Sequence, residues 1–193
     1  MKQRAVFPTE AFEVPRRLAT GFETYRREIA ALAADEFLPW PERAAYNEGW
    51  QVYPFVMTTM PAGFRVDFRR HRARCPGTWA LLADPRVLVA GFSRLQPGCH
   101  IFQHNDSPAF DVMRFHIGIT NAGRAGMRVA GHQLDQMAGE HYVFDSGLDH
   151  EAGNLGQQLR DVLLVDFRLS EQELNEVDRL RAEFGAGDAR AAE

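Results

Sequence analysis

Val112-Met113-Arg114-Phe115-His116-Ile117-Gly118-Ile119-Thr120 is the stretch around which the rest of the chain falls into order. Alternate side chains of a strand face opposite sides. Val112, Arg114 and His116 therefore share one face, and Met113, Phe115 and Ile117 share the other. An arginine and a histidine held between apolar neighbours are costly unless they meet a partner. A strand with that face in solvent would need none, so the segment alone leaves both readings open.

Working outward, further strands are expected at Val87 to Leu95, His100 to His104, Gly126 to Ala130, His141 to Phe144 and Val162 to Leu169. Pro97-Gly98, Asn121-Ala122-Gly123, Gly131 and Gly139 punctuate them as turns. Many short strands at regular spacing predict a double-sheet jelly roll or a related barrel. Trp50 to Val56 reads as extended, with Pro54 confining it to an edge or a bulge.

Helical signals flank this β region. Leu18, Phe22, Tyr25, Ile29 and Leu32 form one apolar stripe, ended by Pro39 and Pro41. A short helix follows Pro76 with Trp79, Leu81 and Leu82. Ser170 and Glu173 form a capping box before Leu174, Val177, Leu180 and Phe184, with Gly185 as a stop. The expected organisation is a single domain over 1–185, mainly β with flanking helices. Its parts are a helical segment to about residue 85, a jelly-roll core over about 86–169 and a closing helix over 170–185. A flexible tail is expected at 186–193.

Composition narrows the function classes. The chain has 193 residues, 45% apolar and 25% charged, as a soluble globular protein does. A net charge of −4 supplies no basic field to attract nucleic acid or an anionic membrane. Cys75 and Cys99 suggest no disulfide framework. The start of the sequence lacks a signal-peptide core, and no apolar run approaches the roughly 18 residues of a membrane span. A cytoplasmic protein, with an oligomer possible, is the expectation. The basic run Arg65, Arg69, Arg70, His71, Arg72 and Arg74 reads as a solvated face rather than a phosphate site.

His104, Asp106 and His150 are the candidate metal ligands. Two imidazoles and a carboxylate can hold Fe(II) on one face and leave its other positions open. His104 and Asp106 alternate and can face one ion, with His150 arriving from a distant strand or loop. Alone, the His-x-Asp pair could equally be a surface turn in which Asp106 caps Ser107-Pro108. Ten residues after His150, Arg160 opens the run Arg160-Asp161-Val162-Leu163-Leu164-Val165. Its planar fork suits the far carboxylate of 2-oxoglutarate. The competing reading pairs it with Asp161 or Asp166. Arginines near the site favour a substrate bearing a carboxylate. Trp50, Tyr53 and Phe55 are core residues or pocket walls, and His71, His100, His132 and His141 are structural.

In order along the chain, Cys75-Pro76-Gly77-Thr78, Ser93-Arg94-Leu95-Gln96-Pro97-Gly98, His104, Arg114-Phe115-His116, Asp149-His150-Glu151 and Arg160 to Asp166 resemble the aspartyl/asparaginyl β-hydroxylase family of Fe(II)/2-oxoglutarate dioxygenases. The resemblance spans about residues 75 to 167 and implies a cupin-like double-stranded β-helix. It makes His104 and His150 iron ligands, and sets Arg160 with Ser93 on the distal carboxylate of 2-oxoglutarate. Arg114 and His116 would lie against its chelating end or the substrate. Many members carry Gly where this chain has Asp106. The aspartate implies a complete triad, as in relatives that hydroxylate free amino acids such as proline, and argues against halogenation. The implied reaction uses Fe(II), 2-oxoglutarate and O2 to hydroxylate a free, peptide-borne or carrier-bound amino acid. The alternatives are a cupin-type metalloenzyme without 2-oxoglutarate and a non-catalytic carboxylate sensor.

Overall fold

The computed structural model describes residues 4–106 and 108–190, the last six without side chains. In chain order the elements are β1 (Val6–Phe7), α1 (Glu13–Ala19), α2 (Phe22–Ala30), β2 (Leu38–Pro39), β3 (Trp50–Met57), α3 (Phe68–Arg74) and α4 (Pro76–Leu82). The β-rich part follows: β4 (Val87–Leu95), β5 (His100–His104), β6 (Val112–Gly118), β7 (Ala125–Val129), β8 (His132–Asp135), β9 (His141–Phe144), β10 (His150–Asn154) and β11 (Arg160–Arg168). Helix α5 (Glu171–Arg190) closes the chain.

Two antiparallel sheets result, one ordered β1-β9-β6-β11-β4-β3-β2 and the other β5-β10-β7-β8. Strands β4 to β11 are thus dealt between two facing sheets, β4-β11-β6-β9 against β5-β10-β7-β8. That is the strand order of a double-stranded β-helix, the jelly roll expected from the spacing of short strands. The fold is mainly β with flanking helices.

The large sheet has two buried faces. On its outer face Phe92, Phe115, Leu163, Val165 and Phe167 pack against Phe12, Val14, Leu18, Tyr25 and Ile29 from the N-terminal helices, and against Val177 and Leu180 of α5. Burial of this many aromatic and branched side chains, each worth about 1.5–3 kcal/mol, fixes the sheet as a platform. On its inner face Leu95 and Phe144 meet Ile101, Met127, Val129 and Ala152 of the small sheet.

The N-terminal region is less purely helical than its sequence suggests. It contributes β1, β2 and β3 to the large sheet. Pro54 lies where the β3–β4 register shifts, a bulge that tolerates its missing N–H. The stripe from Leu18 to Leu32 is two helices, broken at Thr20-Gly21. Tyr25 folds back so that its hydroxyl donates to Leu18 O at 2.8 Å. A Cβ on Gly21 would collide with that ring and with Leu81. Helix α4 starts on Pro76, and its first amides are held by α2: Gly77 N and Thr78 N each donate to Glu28 at 2.8 Å. A carboxylate at that end satisfies otherwise unpaired N–H groups.

The capping box of α5 forms as expected, with Ser170 N donating to Glu173 at 2.8 Å and Glu173 N to Ser170 Oγ at 3.3 Å. Gly185 does not stop the helix, which continues to Arg190. Of the expected tail, 191–193 lies outside the described residues. No helix among the described residues is long and apolar enough to cross a membrane.

Candidate metal centre

The register of β5 against β10 decides which way His104 points. His150 opposes His104, but two residues along β10 Ala152 opposes Ile101, three residues back on β5. Strand β5 therefore carries one extra residue, a bulge. A regular strand with Ile101 in the core would turn His104 to solvent. The bulge brings both inside.

Asp106 follows in the loop after β5, where its backbone N–H donates to Ser146 O at 3.0 Å. Its carboxylate lies 3.6 Å from His104 Nε2 through one oxygen and 3.6 Å from His150 Nε2 through the other. One ligand atom from each residue lies within 4.8 Å of the others. The imidazole centroids are 4.3 Å apart. The alternative turn role of Asp106 involves Ser107, which lies outside the described residues.

Backbone carbonyls set both imidazole tautomers. Phe102 O accepts from His104 Nδ1 at 2.7 Å, and Leu148 O accepts from His150 Nδ1 at 2.9 Å. A carbonyl has no proton to give, so Nδ1 carries the hydrogen on each ring and Nε2 presents a lone pair. Burial pushes the His150 imidazolium below its ordinary pKa, which favours the neutral, ligating form. His150 Nε2 is buried with no hydrogen-bond partner among the described residues. Two lone pairs and a carboxylate converging on one point suit a divalent cation.

Arg114 serves this carboxylate. Its Nη1 lies 2.6 Å from Asp106 Oδ2, while Nε and Nη2 grip Asp166 at 2.6 and 2.8 Å. All three nitrogens are committed to aspartates, which the β6–β11 register arranges by setting Arg114 opposite Asp166. Arg114 thus stands behind a candidate metal ligand, with three of its five N–H donors directed at aspartates.

Deeper between the sheets, buried donors lack acceptors. Arg160 is 1% exposed, and its Nε and Nη2 have no partner among the described residues. Burial presses its pKa down to about 10, against the opposing pull of Tyr142 and Asp161. Neither aspartate proposed for it is available, since Asp161 pairs with Arg94 and Asp166 with Arg114. Gln136 Nε2 lies 3.2 Å from His116 Nδ1 and donates to it. The ring proton then sits on His116 Nε2, which is buried without an acceptor. Burial, with Arg160, Arg114 and His150 nearby, holds His116 well below the usual histidine range. The Tyr142 hydroxyl is also buried, beside Gln136 and with no hydrogen bond of good geometry among the described residues, and its residue lies opposite His116 on β9. Ser93, on the neighbouring strand, accepts from Trp50 Nε1 at 3.1 Å and keeps its own proton to donate.

Tyr142 and Gln136 escape the sequence reading. Tyr142 lies on a recognised strand, in alternation with Phe144, and that spacing could have placed its hydroxyl inside. Gln136 follows β8, which had no strand signal. Of the other candidates, Tyr53 and Phe55 are core, whereas Trp50 stacks on Trp40 at 5.0 Å. His71 stacks on Tyr53 at 3.9 Å, and His100 pairs with Glu151 at 2.9 Å. The basic run is largely tied down: Arg70 and Arg74 pair with Glu36, and Arg72 lies 4.0 Å over the Trp79 ring.

A family model described as aspartyl/asparaginyl beta-hydroxylase matches residues 20–169. No curated protein matches the sequence at a significant level. Among solved structures, a prolyl-4-hydroxylase from Pseudomonas putida is similar at a TM-score of 0.47 and 20% identity, over 87% of this chain and 91% of its own. A predicted oxalate decarboxylase from Thermotoga maritima gives a TM-score of 0.44 and 15% identity, over 72% of this chain and 99% of its own. A cupin domain of an XRE-family transcriptional regulator from Enterobacter cloacae gives 0.43 and 12%, over 64% and 100%. None of the three bears on the chemistry.

Proposed function

The chain belongs to the aspartyl/asparaginyl β-hydroxylase family, and from that premise we propose that it is an Fe(II)- and 2-oxoglutarate-dependent dioxygenase. It hydroxylates an unactivated C–H of an amino-acid-type substrate and releases succinate and CO2. One observation carries this reading. Beside a triad of two Nε2 lone pairs and a carboxylate stand buried donors, on Arg160 and His116, that have no acceptor among the described residues. Unpaired buried donors are costly unless a ligand completes them.

The residues fit both groups. His104, Asp106 and His150 would hold the iron through three ligands, leaving open positions as oxygenase sites of this ligand type do. Bound there with 2-oxoglutarate and O2, iron supplies the oxidising chemistry, coupling decarboxylation of the keto acid to transfer of one oxygen atom into the substrate C–H.

The chain's own side chains do the rest. Arg160 would take the far carboxylate of 2-oxoglutarate on its planar fork, with Ser93 as a further donor. His116 and Tyr142, opposite one another on β6 and β9, would supply further donors. Phe102 O and Leu148 O keep both imidazoles in the ligating tautomer, and Arg114 keeps Asp106 aimed. Leu95 and Phe144, both fully buried, exclude water from the same interior.

Turnover tests the proposal. Purified protein given Fe(II), 2-oxoglutarate and an amino-acid panel in air should form succinate, and omission of either Fe(II) or 2-oxoglutarate should stop it. Metal binding with no 2-oxoglutarate consumption would instead support a cupin-type metalloenzyme. Carboxylate binding with no metal dependence would support a sensor.

A further inference from the structure

A second space opens from the triad towards β2 and β3. It has a volume of about 110 Å³ and reaches His104, Asp106, Ser93 and Arg114 at one end. A single water requires roughly 10–15 Å³ by this kind of measure, so a short branched chain fits where a large ring does not. Its walls are Trp40, Trp50, Val52, Met57 and Leu164. The two indoles stack at 5.0 Å.

The charges around it are uneven. Arg114 is the only cation among its lining residues, and both faces of its fork are occupied by Asp106 and Asp166. Glu42 lies at the rim, accepting from Trp40 Nε1 at 3.3 Å, and has no cationic partner among the described residues. A free carboxylate entering here would meet apolar walls, an already paired arginine and two carboxylates, the one remaining hydroxyl donor being Ser93, which the proposed cosubstrate would take. Removing an anion from water without a partner is strongly unfavourable. An ammonium group would meet Glu42 beside the stacked indoles, an arrangement that favours a cation.

We propose that the substrate is a short aliphatic amine whose carboxyl group is absent or masked as an amide, ester or thioester, with its alkyl chain directed at the metal centre. This rests on the dioxygenase reading. It also replaces the expectation, drawn from pocket arginines, of a substrate with a free carboxylate. The arginines that suggested it are engaged by aspartates or lie on the proposed cosubstrate side.

The test is a binding series read by fluorescence of Trp40 and Trp50, in the Trp79→Phe background, with Zn(II) and 2-oxoglutarate present. Leucine amide should bind at least tenfold more tightly than leucine. N-acetyl-leucine amide should bind about fivefold more weakly than leucine amide, since it lacks the cation. Glu42→Gln should remove that difference. Equal or tighter binding of leucine would overturn the proposal, as would an amide preference indifferent to both acetylation and Glu42. The parent reading is scored separately, by whether Fe(II) and 2-oxoglutarate give a visible absorption band without oxygen or substrate. If the band forms and leucine wins, only the substrate class falls; if no band forms, the dioxygenase reading falls.

Discussion

Two arginines one register step apart, on opposite faces of the same sheet, divide this molecule into a finished side and an unfinished one. Arg94 faces the helices. It is buried, it holds Asp161 bidentately at 2.7 and 3.0 Å, and it lies 3.8 Å over the Phe37 ring. Arg160, opposite Leu95 on β11, faces the small sheet and is more deeply buried, yet two of its nitrogens have no partner among the described residues. Arg94 is satisfied within the protein, whereas Arg160 is the arginine that the proposed cosubstrate would complete, and that contrast separates a structural charge from a candidate binding one.

The largest effect expected is at the triad. His150→Ala should abolish both metal binding, measured by calorimetry, and succinate formation, while far-ultraviolet circular dichroism stays native. Retained turnover would dissolve the distinction between the faces at its core.

Next comes the arginine pair itself. Arg94→Ala leaves Asp161 buried and uncompensated, which should cost about 3–5 kcal/mol in denaturant unfolding. Arg160→Met removes an unpaired buried charge and should leave the ligand-free protein equally or more stable, while weakening 2-oxoglutarate binding by at least tenfold. Equal destabilisation by both variants would mean that Arg160 is also structural.

A third variant probes the boundary between the faces. Asp166→Asn loosens the grip on Arg114 and, through it, on Asp106, without touching the metal. Partners of this kind typically contribute 10–100-fold in metal affinity. Calorimetry with Fe(II) or Zn(II) should show a loss in that range, with little change in Tm.

The last test is acidic. Burial holds His71, behind the sheet, and His116, inside the jelly roll, below their ordinary pKa. Unfolded histidine takes up a proton near pH 6.5. Below that value the unfolded chain binds more protons than the folded one, so stability present above about pH 6.5 is lost as the pH falls. The slope is at most about 1.4 kcal/mol per pH unit for each histidine. A Tm unchanged between pH 8 and 5 would contradict it.

How much of this was legible beforehand follows the same division. The jelly roll, the helix after Pro76 and the capping box at Ser170 were readable because each rests on local spacing or turn chemistry. So were the strands at Val87 to Leu95, His100 to His104 and His141 to Phe144, whose bounds the structure reproduces. The break at Gly21 was not, because it depends on the Tyr25 ring folding back. Strands β8 and β10 carry polar and small residues, which register rather than apolar pattern holds in place. At the site, the structure brings His104, Asp106 and His150 together. Simple alternation aligns His104 with Asp106, but it is the β5 bulge, invisible in the sequence, that turns His104 inward. Arg114 was expected near a carboxylate and has two, both from the protein. Pairings between distant strands, such as Asp161 with Arg94, cannot be read from neighbours in sequence.

The most direct measurement is an anaerobic optical titration: Fe(II) first, then 2-oxoglutarate, in the wild type and in Arg160→Met. The account predicts a visible metal-to-ligand charge-transfer band that saturates with 2-oxoglutarate in the wild type, and the same band in Arg160→Met only at much higher 2-oxoglutarate. Absence of the band from wild-type protein that has bound Fe(II), or identical midpoints in the two proteins, would contradict it.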